Sequence, residues 1–197
     1  MKLAKNSTAW ISVPLFVTAV LAALGSWYAT GVALVGSLIM IFFHRDPDRT
    51  PEGEGMISPA DGRIVEAGPD RVSVFMGPTD VHVNRSPVDG VVRSIQFMKG
   101  GHVPAFTRLA GKNQQNRIVI QADGEAGCIE VRQIAGTIVR EIICYVQPGE
   151  RVLRGQRIGM IRFGSRVEVT MPKKCRIMVK VGDKVHAGET IIAVRST

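Results

Sequence analysis

"VQPGERVLRGQRIGMI" (Val146–Ile161) and "VKVGDKVHAGETIIAV" (Val179–Val194) are two versions of one pattern, 33 residues apart. Gly149 falls over Gly182, Val152 over Val185 and Gly155 over Gly188. Each copy reads as strand, Gly-acid-base-Val turn, two residues, glycine and strand again, so one supersecondary unit is used twice. The texture extends outward from the repeat. "RIVEAG", "RVSVFM", "VVRSIQFM", "NRIVIQA", "CIEVRQIAG" and "REIICYV" precede or enter it, and "RIGMIRFG", "RVEVTMP", "RIMVKV" and "TIIAV" run through it. All are short, rich in β-branched residues and bounded by Gly, Pro or Asp. Residues 56–197 are therefore expected to form a mostly β domain, a small barrel or sandwich, with helix only near Ala105–Lys112.

The N-terminal part is of another kind. From Asn6 to Phe43 there is no charged side chain. As one helix the run would extend roughly 55 Å, well beyond a hydrocarbon core of about 30 Å, so it should break. Gly25-Ser26 divides it into two apolar legs, which predicts a hydrophobic helical hairpin over 1–43. Lys2 and Lys5 flank one end and Arg45 and Arg49 the other, which places both ends, and the domain that follows, on the cytoplasmic face of a cell membrane. A secretory signal peptide is disfavoured by the length of the run, and a buried helical pair in a soluble core stays as an alternative. "HRDPDRTPEGEG" (His44–Gly55) is too polar and too punctuated to continue a helix, so 44–55 reads as a linker.

A formal net charge of +8 suits anionic lipid. It does not imply nucleic acid, because no basic run interleaves with aromatics. Cys128, Cys144 and Cys175 are odd in number and lack CxxC spacing, so neither a disulfide framework nor a metal site is indicated.

The repeat resembles half of a biotinyl or lipoyl carrier barrel, and Lys173-Lys174 sits where such a carrier would present its modified lysine. The pair follows Pro172 instead of a tight hairpin tip, which disfavours that reading. Between the copies lies "RFGSRVEVTMPKKC", and its Gly164-Ser165 has a specific chemical use. Gly-Ser occurs three times in the chain, so the dipeptide alone says little. Next to a base, however, a serine hydroxyl can attack the preceding carbonyl and move the acyl group from nitrogen to oxygen. Glycine lowers the steric barrier to that distortion. The ester can then eliminate to dehydroalanine, which hydrolyses to an N-terminal pyruvoyl group that forms a Schiff base with an amine and acts as an electron sink.

Four motifs, in order, carry a wider resemblance: "FFHRDPDRTP", "ISPADGRI", "MGPTDVHVNRSPVDG" and "IGMIRFGSRVEV". From about Phe42 to the C-terminus the chain resembles the phosphatidylserine decarboxylases, in their short bacterial and archaeal form, and an archaetidylserine decarboxylase fits the same motifs. The resemblance implies a zymogen that cleaves itself between Gly164 and Ser165 into a β chain and a 33-residue α chain, with Ser165 becoming the pyruvoyl cofactor. It implies that Asp61 and His82 activate the serine and that His82 handles the protons of turnover. Longer members carry a second histidine where this chain has Arg85, so Arg85 is a candidate phosphate or carboxylate fork. Asn116 and Arg117, in "GKNQQNRIVI", are candidates for the substrate headgroup, and His102 for a loop near the site. The implied reaction turns a serine-headgroup phospholipid into its ethanolamine counterpart at a membrane, in a homo-oligomer without metal. A non-enzymatic membrane adaptor and a pyruvoyl decarboxylase of a soluble amino acid are the alternatives.

Overall fold

The computed structural model describes residues 2–195 apart from 102, 106, 108–110, 125–126, 138 and 140. The chain divides into two compact units, Met1–Asp48 and Arg49–Thr197. His102 and half of the helix expected near Ala105–Lys112 fall outside the described residues.

In the first unit, strand β1 (Lys2–Leu3), helices α1 (Thr8–Ala23) and α2 (Trp27–Phe43) and strand β2 (Arg45–Asp46) follow one another. β1 and β2 pair antiparallel, Lys2 opposite Asp46, and close the open end of the helix pair. Gly25, with φ +73°, makes the turn between the helices. Thr18 and Ser37 hydroxyls meet across them at 3.1 Å, each also bonded to the carbonyl four residues back in its own helix. That arrangement satisfies both hydroxyls without water. The helices bury just Ile11, Ser37 and Phe43, and leave Phe16, Leu24, Trp27, Tyr28, Val32, Val35 and Leu38 exposed. With 16 and 17 residues they extend about 24–26 Å. Among the described residues no helix is long and apolar enough to cross a membrane.

The second unit is β throughout. Its strands are β3 (Met56–Ile57), β4 (Gly62–Ala67), β5 (Arg71–Met76), β6 (Val83–Arg85), β7 (Gly90–Met98), β8 (Gln115–Ala122) and β9 (Cys128–Ile134). They continue as β10 (Ile142–Cys144), β11 (Arg151–Val152), β12 (Arg157–Ile161), β13 (Ser165–Thr170), β14 (Cys175–Ile177), β15 (Lys184–Val185) and β16 (Ile191–Arg195). Eight strands form one curled sheet in the order β11-β7-β8-β9-β13-β5-β4-β15, and two three-stranded sheets, β10-β12-β6 and β14-β16-β3, accompany it. The long strands alternate with the period of two that one buried face requires. Val72, Val74, Ile118, Ile120, Ile129, Val131, Val167 and Val169 point inward and are fully buried, joined by Ile158, Ile161 and Ile192 of the small sheets. Each such side chain contributes roughly 1.5–3 kcal/mol on burial.

The strand order is a palindrome of chain halves. β6 to β12 form one half, and β3 to β5 with β13 to β16 form the other, so the first is inserted into the second. "ISPADG" and "RSPVDG", 28 residues apart, open the two halves, and their details coincide. Ser58 and Ser86 hydroxyls each donate to the carbonyl two residues on, at 2.7 Å. Asp61 accepts from Ala187 N–H and Asp89 from Arg154 N–H, at equivalent places in the 33-residue repeat. The bulges in β4 and β7 also match, between Ile64/Glu66 and Val92/Ser94. At Gly62 and Gly90 a Cβ would lie 2.0 Å from Phe75 O and 2.2 Å from Gln121 O, so both positions exclude any side chain. Changing Gly90 to Ala is therefore expected to lower unfolding stability by at least about 1–3 kcal/mol. Gly68→Ala, where the new atom meets nothing nearer than 3.7 Å, should change it by less than about 0.5 kcal/mol in the same urea titration.

Candidate functional site

The insertion of one half into the other creates two crossover segments, Gly77–His82 between β5 and β6, and Arg162–Gly164 between β12 and β13. They run side by side. Ser165 pairs with Met76 at one end, and Ile161 N–H donates to His82 O at the other, 3.2 Å away. The residues singled out for chemistry, His82 and Gly164-Ser165, thus lie in the two strands of chain that join the halves.

The turn before Ser165 is an unusual one. Phe163 and Gly164 both have left-handed φ, +58° and +62°. That conformation suits glycine but costs a residue with a Cβ about 1–3 kcal/mol, so packing must hold Phe163 there. Apart from its chain neighbours, no described atom lies within 4 Å of the place a Gly164 Cβ would occupy, so the space beside its Cα is open. The carbonyl oxygen itself is clamped from the side: a Cβ on Gly136 would come within 1.6 Å of it. Ser165 is fully buried, and among the described residues its Oγ has no hydrogen-bond partner. A hydroxyl in that state costs about 1–3 kcal/mol relative to a bonded one, and native chains seldom keep such groups without a use.

His82 is fully buried as well. Its Nδ1 lies 2.9 Å from Asp80 O, and a carbonyl can only accept, so Nδ1 carries the hydrogen and Nε2 of the neutral ring carries the lone pair. Asp80 in turn closes its own turn through Gly77 N–H, 2.8 Å from Oδ2. Asp61 is placed differently from the expected partner of the imidazole. Its carboxylate accepts from Ala187 N–H at 2.7 Å, Arg49 at 3.0 Å and Val81 N–H at 3.4 Å, and His186 Nδ1 is 3.9 Å away. It reaches His82 only through the neighbouring peptide. The bond to Ala187 is duplicated by Asp89 in the other half, so that part of its work belongs to the fold.

The three substrate-binding candidates separate. Arg85 is buried and donates to Gly155 O at 3.0 Å, with Cδ 2.7 Å from where a Gly188 Cβ would stand, so it braces the glycines of the repeat. Asn116 and Arg117 cannot serve one headgroup, because consecutive residues of β8 face opposite sides of the sheet. Asn116 points inward with Ser165. Arg117 points outward into an ionic ladder with Glu130, Arg132, Glu168, Arg166, Glu66 and Arg71. Burial tends to raise the Glu130 carboxyl, but the guanidinium groups of Arg117 and Arg132 outweigh it and hold it below its ordinary value of 4.5.

Sequence reasoning passed over Gly136 and the inward-facing amides Asn84 and Gln133. The 28-residue "SPxDG" repeat was a signal that could have revealed the inserted half and drawn attention to its crossovers. Among the described residues no cluster of three or more His, Cys, Asp or Glu side chains could hold a metal.

Comparison with known proteins points one way. The family model described as phosphatidylserine decarboxylase matches residues 67–193. A protein of Methanococcoides burtonii named "Putative archaetidylserine decarboxylase proenzyme" is 44% identical over 97% of this chain and 95% of its own. A "Phosphatidylserine decarboxylase proenzyme" of Streptomyces avermitilis is 41% identical over 98% of this chain and 93% of its own, and one of Thermobifida fusca is 42% identical over 96% and 91%.

Two outcomes test the geometry. Gly136→Ala must displace the Gly164 carbonyl, and is expected to destabilise the chain by roughly 1–3 kcal/mol in denaturant titrations. Because the folded-state pKa of Glu130 is depressed, its ionised form contributes stability above pH 4.5 that is lost as pH falls through the folded value. Melting curves of Glu130→Gln between pH 3 and 7 should therefore show a shallower loss of stability on acidification than the parent.

Proposed function

The chain belongs to the phosphatidylserine decarboxylase family and is a carboxy-lyase, and from that premise we propose that it decarboxylates a serine-headgroup phospholipid after cutting itself between Gly164 and Ser165. The observation that carries this reading is the Ser165 hydroxyl, fully buried and without a hydrogen-bond partner among the described residues, next to a glycine with open space beside its Cα. All three named relatives are called proenzymes, which fits a chain made in one piece and then processed.

In the proposed cut, His82 Nε2 takes the proton from Ser165 Oγ, and Oγ attacks the Gly164 carbonyl carbon. The carbon-oxygen bond forms, the Gly164–Ser165 carbon-nitrogen bond breaks as the nitrogen takes the proton, and β-elimination of the resulting ester then releases the Gly164 carboxylate and leaves a dehydroalanine that water converts to the pyruvoyl group with loss of ammonia. The αL geometry of residues 163 and 164 presents the carbonyl, and Gly136 limits where its oxygen can go. Asp61 keeps the His82 segment in place through Val81 N–H. These residues fit a pyruvoyl group at position 165, which would supply the electron sink for decarboxylating an amine-bearing substrate. Protonated His82 is then the acid that returns a proton to the product.

The first unit supports a lipid substrate. Its two helices expose apolar side chains on every side, far beyond what a soluble surface carries, and each is shorter than a hydrocarbon core is thick. We place it in the cytoplasmic leaflet, where the flanking Lys2, Lys5, Arg45 and Arg49 meet anionic headgroups.

Intact mass under denaturing conditions tests the cut. The expected result is two species, one of 33 residues with a blocked N-terminus and one ending at Gly164, with Ser165→Ala remaining a single chain without decarboxylase activity. His82→Ala should slow the cut and the turnover each by about 10²–10⁴-fold. Carbon dioxide release is to be followed with ester-linked and ether-linked serine lipids and with free serine. An uncut parent of 21.4 kDa that releases none would leave a non-enzymatic membrane adaptor.

A further inference from the structure

Three buried side-chain amides form a chain on the inward face beside Ser165. Asn116 Nδ2 donates to Gln133 Oε1 at 2.9 Å, Gln133 Nε2 donates to Asn84 Oδ1 at 2.8 Å, and Asn84 Nδ2 donates to the thioether of Met76 at 3.7 Å. None is more than 2% exposed. The direction of the chain is set at its last member, because a thioether sulfur only accepts. Asn84 must therefore present its NH₂ to Met76 and its oxygen to Gln133, and the other two amides follow. Met76 is the cross-strand partner of Ser165, and cross-strand partners share a face with Cβ atoms about 4.5–5.5 Å apart. The oriented NH₂ of Asn84 thus ends in the neighbourhood of the unpartnered Ser165 hydroxyl, held only by a weak acceptor.

The fold does not require amides there. At the 28-residue offset Met56 occupies the place of Asn84 in the other half. Stepping through the sheet, Ile64 corresponds to Val92, their partners Val74 and Ile120 correspond, and so do the next partners, Val167 and Ile129. Four residues on, Met171 stands where Gln133 does. Met56 and Met171 are buried core residues. Two methionines fill one half and two amides the other, and the amides are in the half whose crossovers meet at Ser165. Gly159 confirms that room was made for them, since a Cβ there would lie 2.7 Å from Gln133 Nε2.

We propose that Asn84 is a positioning residue for the cut, an N–H donor aimed by Gln133 and Asn116 at the oxygen of residue 165 as it takes on charge. As Oγ loses its proton to His82, Asn84 exchanges its thioether contact for a charge-assisted bond to the forming alkoxide, and the charge passes to the Gly164 carbonyl oxygen when Oγ bonds to its carbon. The inference rests on the self-cleavage reading and concerns its rate.

The experiment follows chain scission by intact mass from freshly translated parent and variants, with circular dichroism to confirm folding. Asn84→Asp keeps the shape and the bond from Gln133 but removes the donor, and should slow scission about 10–100-fold, the effect of losing one hydrogen bond to a charged group. Asn84→Ser restores a donor at the expense of shape, and should cut faster than Asn84→Asp. A purely structural Asn84 gives the reverse order, and that order, or equal rates for parent and Asn84→Asp, overturns the proposal. Asn116→Asp draws the Gln133 NH₂ to itself and reverses the chain from two side chains away, so a slowed cut is expected there also. If Asn84→Asp fails to fold, the comparison of Asn84→Ser with Asn84→Leu decides in the same sense. A parent that never cuts removes the self-cleavage reading and this inference together, whereas a parent that cuts at the rate of Asn84→Asp removes the inference alone.

Discussion

The antiparallel pairing of Ser165 with Met76, at the start of β13 and the end of β5, is the constraint on which the site depends. It joins the point where the outer half of the domain is interrupted to the point where it resumes. Everything between those two residues is an inserted half with its own sheet partners, so its two connections must return to one place. A buried place shared by two connections is suited to a reaction of the backbone on itself, because the peptide to be cut is held at both ends by strands that cannot slide. A slip of one residue in β13 would turn Ser165 outward and Arg166 into the core.

Around that pairing the structure accepts several local costs. Phe163 is held in a left-handed conformation, the Ser165 hydroxyl is buried without a partner, and Gly136 gives up any side chain so that a carbonyl can approach. Elsewhere in the domain apolar residues face inward and a ladder of charges faces outward, where single buried atoms of Gln115, Arg117, Arg132 and Arg166 also go without partners among the described residues. What sets the site apart is that an unsatisfied hydroxyl, a left-handed Phe163 and a glycine-only approach meet at one point, where a functional site is expected to depart from local rules.

The ladder shows why charge alone is a poor guide to function. Seven side chains, Arg117, Glu130, Arg132, Glu168, Arg166, Glu66 and Arg71, neutralise one another across β8, β9, β13, β5 and β4. They lie on the face away from Ser165, and the half-buried pairs among them hold the outer surface of the sheet together. Arg85 is a second instance, a cation beside the site that serves the glycines of the repeat.

The sequence by itself determined what is periodic or local. Alternation with a period of two announced every strand of five or more residues, the 33-residue repeat announced two equivalent hairpins, and motif order announced the family, since these depend on spacing along the chain. Two-residue strands such as β11 and β15 carry no period and were not legible. Asp61 offers the clearest limit: its place in "SPADG" was visible, but whether its carboxylate would meet an imidazole or a backbone amide depends on where Ala187 and Val81 arrive in space. Arg117 and Asn116 are neighbours in the chain and strangers in the fold, because a pleated strand sends them to opposite faces. Only the tertiary structure decided which half of the palindrome would carry amides next to Ser165 and which methionines, for that is a matter of pairing between residues far apart in sequence, and no local pattern records it.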